Sequence, residues 1–81
     1  MAIDKHDTAQ KVIAIIAEKL KVEQADIRQD STLSELGADS LDMVEIIMKL
    51  EEELAIEIND EDAEKLYNVS SVIDYVHSLR K

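Results

Sequence analysis

Gly37-Ala38-Asp39-Ser40-Leu41-Asp42 is the stretch on which the reading of this chain turns. Gly37 is the only glycine among 81 residues, so the one residue free to adopt positive φ stands just before Ser40. Asp39 and Ser40 are both preferred N-cap residues, and Asp42 falls where a first helical turn would lie. From Leu41 to Leu54 the chain is rich in Leu, Glu, Ile and Met, all compatible with a helix. The stretch therefore predicts a sharp turn, a serine hydroxyl at a helix N-terminus and a carboxylate beside it. Unpaired N–H donors and the positive end of the helix dipole suit a phosphate at that point. A plainer reading stays open here, in which Ser40 only caps the helix.

The helix after Ser40 carries two stripes. At about 100° per residue, Met43, Ile46, Ile47, Leu50 and Leu54 fall on one side, a complete core face. Leu41, Val44 and Met48 fall opposite, flanked by Glu45, Glu51 and Glu52. One core needs one stripe. Either the helix is buried on both sides, or the second stripe is an exposed apolar strip edged with carboxylates, suited to docking a basic partner. Lys49 departs from that acidic character and bears on partner preference.

Upstream, Ala9, Val12, Ile13, Ile16 and Leu20 recur at helical spacing and predict an amphipathic helix over about 4–20. Asp4 and Asp7 suit its start, Lys19 and Lys21 its end. Between Val22 and Leu36 no period is sustained, which predicts a long loop pinned by Val22, Ala25, Ile27, Leu33 and Leu36. Downstream, Ala55 to Asp60 predicts a short loop with Ile56 and Ile58 pointing inward. Asp60 then caps a short helix from Glu61 to about Tyr67. Asn68 or Ser70 caps a last helix to about Leu79, with Val69, Val72, Ile73 and Val76 inward and Arg80 and Lys81 complementing its end. The fold class is all-α: a small up-and-down bundle of three longer helices and one short one, with a long first loop and one domain over residues 1–81.

Composition excludes several functions. Without cysteine there is no disulfide or thiolate metal site, and any thiol must come from an attached group. No apolar run approaches the roughly 20 residues of a membrane span, nor is there a signal-peptide h-region, so a soluble intracellular protein is expected. The net charge of −10 opposes nucleic-acid binding. Thirteen acids and a single base lie between Gln29 and Glu64, so the acidity belongs to the middle of the chain. The cluster Asp60-Glu61-Asp62-Glu64 lacks the spacing and glycine of an EF-hand, leaving only loose divalent binding. His6 and His77 read as isolated surface residues, and no nucleophile elbow or Ser-His-Asp order is present.

The run Leu36 to Asp42, with Val44-Glu45 and Leu50-Glu51-Glu52-Glu53, closely resembles the acyl carrier proteins of dissociated fatty acid synthesis. The likeness continues through Glu57 to Lys65 and Val72 to Val76, covering nearly the whole chain. Asn59 stands where many carriers have proline. The resemblance implies that Ser40 accepts 4′-phosphopantetheine from coenzyme A, with Asp39 and Leu41 completing the attachment motif. It further implies that the protein is no enzyme but a cytoplasmic, monomeric shuttle whose attached thiol carries growing acyl chains. The implied partner surface comprises Asp42, Val44, Glu45, Met48, Glu51, Glu52, Ile58, Asp60 and Glu64. Its implied partners are the holo-carrier synthase (a phosphopantetheinyl transferase), malonyl and acyl transferases, ketoacyl synthases, reductases, dehydratases and acyltransferases, each through a basic patch. A core without Phe or Trp would open for an acyl chain more readily than one keyed by large rings, or is simply a small aliphatic core. A carrier of polyketide, aminoacyl or lipid A-type groups, and an acidic helical adapter without any prosthetic group, remain as other readings.

Overall fold

The computed structural model describes residues 4–80. Its helices are α1 (Lys5–Leu20), α2 (Ser40–Leu54), α3 (Asp60–Ala63) and α4 (Val69–Leu79). The expected all-α bundle of three longer helices and one short one is what forms, with no strand among the described residues.

α1 is the central element, packing against both α2 and α4. That explains a buried arc wider than the five-residue face expected of it. Thr8, Val12, Ile15, Ile16 and Ala17 are buried, while Ala9, Ile13 and Leu20 are half-buried. Asp4 caps the helix by accepting from the His6 amide, and Lys21 ends it in the left-handed region at φ 57°. The cores of α2 and α4 follow the pattern: Ile46 and Leu50 are buried on α2, and Val69, Val72, Ile73 and Val76 on α4. Asn68 is the α4 cap, closed by a capping box with Ser71.

The loop over 21–39 is tied down by its backbone. A 3₁₀ turn at Gln24–Asp26 faces solvent, so Ala25 is exposed and does not pin the loop as expected. Ile27 and Leu33 are buried, and Val22 and Leu36 half-buried. Further along, Leu33 N–H donates to Tyr67 C=O at 2.9 Å, Val69 N–H to Ser31 C=O at 3.0 Å and Ser70 N–H to Gln29 C=O at 2.9 Å. These bonds fasten the loop to the start of α4.

They also account for the largest departure from expectation. α3 does not run from Glu61 to Tyr67 but ends at Ala63, and Asn59 rather than Asp60 is its cap, accepting from Asp62 N–H at 3.0 Å. Beyond Ala63 the chain turns Leu66 into the core and commits the Tyr67 carbonyl to the loop, so the helix cannot continue. Asp62 is in turn held by the Tyr75 hydroxyl at 2.7 Å, a bond that pushes the phenol up to about 12. The acids of α3 do not converge: among the described residues no three carboxylates or imidazoles are placed to hold a metal.

His77 is no idle surface residue. Its Nδ1 lies 3.0 Å from the Oγ1 of the fully buried Thr8, which also accepts from Arg80 at 2.7 Å. Arg80 reaches on to Asp7 at 3.3 Å, closing the seam between the start of α1 and the end of α4. The expected role of Lys81 lies outside the described residues.

Candidate functional site

The approach to Ser40 is built by local chemistry. Thr32 and Glu35 bond reciprocally, Glu35 N–H to Thr32 Oγ1 at 3.1 Å and Thr32 N–H to Glu35 Oε1 at 3.4 Å, starting a single helical turn. That turn ends as a Schellman motif, with Ala38 N–H on Leu33 C=O and Gly37 N–H on Ser34 C=O, both at 3.0 Å. Gly37 supplies the required φ of 95°, and a Cβ there would meet no atom within 4 Å. Glycine is needed for its backbone angle, not for space.

The next cap decides what Ser40 does. Asp39 is extended, and its Oδ1 accepts from Asp42 N–H at 2.9 Å, while Asp42 Oδ2 accepts from Asp39 N–H at 3.2 Å. Asp39 is therefore the cap and Ser40 the first helical residue. The Ser40 hydroxyl is exposed and makes none of the hydrogen bonds found among the described residues. It stands over a turn whose first N–H groups give positive potential, but two carboxylates already spend part of that potential. The site is thus suited to a positively charged visitor as well as to an attached phosphate.

Ser40 and Asp39 line an open cleft of about 960 Å³. One wall is α2, through Met43, Val44 and Ile47; the other is the segment after α3, through Leu66 and Tyr67; Leu33 lies between. Most of this lining is hydrocarbon. An exposed hydroxyl that opens onto an apolar cleft fits a phosphoryl-linked arm with an apolar cargo.

The second stripe of α2 is exposed. Leu41, Val44 and Met48 show 66 %, 52 % and 61 % of their surfaces, with Glu45 and Glu52 exposed beside them. Asp42 is half-buried, and Asp60 and Glu64 are exposed, with Glu64 at the cleft. Two residues assigned to this surface face elsewhere. Ile58 is 7 % exposed and belongs to the core, because its amide is drawn in by the Glu51 carboxylate at 2.9 Å. The same bond occupies one oxygen of Glu51 inside the fold. Lys49 bonds Glu53 at 3.1 Å, and that carboxylate raises the ammonium above its ordinary range. The cleft walls at Leu66 and Tyr67 had no periodic signal; an aromatic in a chain with only two of them was the available hint.

Residues 10–76 match the family described as a phosphopantetheine attachment site. The fold is similar to the crystal structure of an acyl carrier protein from Thermotoga maritima, at 31 % identity over 93 % of this chain and 88 % of that one, with a TM-score of 0.79. It is likewise similar to the thermally stable acyl carrier protein of Enterococcus faecalis, at 33 % identity over 95 % and 99 %, with a TM-score of 0.80. The chain belongs to the phosphopantetheine-attachment family and, within it, to the acyl carrier proteins. The prosthetic group of that family is phosphopantetheine.

Proposed function

We propose that Ser40 is the attachment residue and that this single carrier domain shuttles growing fatty acyl chains between the enzymes of fatty acid synthesis. The observation that carries the reading is the division of labour at the α2 terminus: Asp39 caps, leaving the Ser40 hydroxyl exposed and unbonded. In the loading step Ser40 Oγ displaces the nucleotide portion of coenzyme A, forming its own bond to phosphorus and giving its proton to a base of the transferase. Once attached, the group supplies a thiol on which acyl chains ride as thioesters. The residues of this chain do the holding: Met43, Val44, Ile47 and Leu66 offer the cargo an apolar seat.

The hydrocarbon lining favours an apolar acyl cargo over aminoacyl groups. The exposed Leu41, Val44 and Met48, edged by Glu45 and Glu52, fit enzymes with an apolar contact ringed by basic residues. The acidic middle of the chain supports the same partner chemistry, and no described helix is long and apolar enough to cross a membrane. The protein acts in this reading as a cytoplasmic monomer that does no bond chemistry of its own.

Intact and tandem mass spectrometry after incubation with coenzyme A and a phosphopantetheinyl transferase tests the attachment. The whole added mass is expected on Ser40 and absent from Ser40→Ala. Mass on Ser34, or no addition to the wild type, would refute the assignment.

A further inference from the structure

Tyr67 is the most exposed large hydrophobic side chain among the described residues, at 68 %. It lines the same cleft as Ser40, from the wall opposite α2. An aromatic ring standing in water with no packing role in its own fold is available for something that arrives later. Its placement is not loose. The Tyr67 carbonyl accepts from Leu33 at 2.9 Å, and the neighbouring Asn68 pairs with Thr32, so the backbone on both sides is stapled to the loop that leads to Ser40. Leu66, one residue earlier, is 5 % exposed and anchors the segment in the core. The backbone that bears the ring is thus fixed on the lip of a cleft that Val44, itself 52 % exposed, also lines.

Resting on the carrier reading above, we propose that Tyr67 is a specificity-determining residue: its ring closes over the apolar chain carried on Ser40, shielding the cargo and favouring acyl groups long enough to reach it. The cleft that the ring lines is mostly hydrocarbon, so an alkyl chain seated against the ring desolvates one ring face together with itself. A short or charged cargo gains nothing from that contact. Because Tyr67 buries little in the empty fold, replacing it perturbs the cargo rather than the protein.

The experiment compares wild type, Tyr67→Ala and Tyr67→Phe, each loaded with acetyl- or octanoyl-phosphopantetheine, in the rate at which hydroxylamine cleaves the thioester. Octanoyl cleavage is expected to be about five-fold faster in Tyr67→Ala than in wild type. Acetyl cleavage should be equal in the two, and Tyr67→Phe should behave as wild type because the ring is kept. Equal octanoyl rates in Tyr67→Ala and wild type would overturn the role of Tyr67 while leaving the carrier reading intact. Slower loading by the transferase with unchanged cleavage would overturn it in favour of a partner contact. Failure of the wild type to load at all would overturn both.

Discussion

Asp39 and Ser40 stand side by side, yet the structure gives them separable consequences for stability and loading. In Asp39→Ala the Asp42 amide loses its acceptor at 2.9 Å, and the reciprocal bond from the Asp39 amide, at 3.2 Å, remains. Both groups are solvent-accessible, so water replaces the lost oxygen and the penalty of a buried orphan does not arise. The expected cost is that of an N-cap, about 1 kcal/mol. In a domain of this size that lowers Tm by about 4–8 °C. Removing a charge complicates the number, because the carboxylate is favoured by the dipole yet crowded by Asp42 and the acids beyond. Asp39→Asn isolates this, since asparagine caps as well as aspartate, and it should melt within about 0.5 kcal/mol of wild type. Ser40→Ala removes a hydroxyl with no bond in the fold and installs the best helix former, so its Tm should be equal or slightly higher. Thermal melts of the three apo variants by far-ultraviolet circular dichroism, paired with loading assays, make the comparison. Ser40→Ala should abolish loading at full stability; Asp39→Asn should keep its stability whatever it does to loading. A Ser40→Ala protein that melts as low as Asp39→Ala would show that the serine is a structural cap, and the reasoning from the capping box would fail.

Ala55 ends α2 in the left-handed region at φ 53°. Ala55→Gly should therefore stabilise the fold by about 0.5–1 kcal/mol in denaturant titrations, the relieved Cβ strain exceeding the added unfolded-chain entropy. Glu45→Lys should slow association with a ketoacyl synthase at low salt, with the deficit shrinking as ionic strength rises; a salt-independent loss would place the docking strip elsewhere. Tyr75 has a folded pKa raised to about 12, first by its bond to Asp62. Its stabilisation is complete below the unfolded value near 10 and is lost as pH climbs through about 12. Alkaline melts of wild type should show that decline, and Tyr75→Phe should flatten it.

The turn before Ser40 was legible because its chemistry is local: a glycine, two candidate caps and a first-turn acid lie within six residues. The opposed stripes of α2 were legible for a related reason, since helical period alone separates Ile46 and Leu50 from Leu41, Val44 and Met48. What escaped was set by partners distant in sequence. The extent of α3 is decided by the Leu33 amide reaching Tyr67, and His77 acquires its place from Thr8, 69 residues away. Glu51 reads as one more acid on a solvated edge until the fold turns its carboxylate onto the Ile58 amide. Periodicity reports which face a residue occupies and carries no information about which amide its oxygen will meet.

The pairing of residues 29–33 with 67–70 also sets a clock. Ser40 is synthesised well before Val69 and Ser70, whose amides fasten Gln29 and Ser31, and at about 5–20 residues per second the delay is a few seconds. Through that interval Ser40, the proposed acceptor, has no finished seat: the loop ahead of it is untied and the far lip of the cleft is not yet made. Released fragments ending at Leu66 and at Leu79, offered to the transferase, should load only in the second case. On the proposed reading, a fragment that lacks α4 would stay unarmed, and only chains able to fasten 29–33 against 67–70 would reach the enzymes downstream.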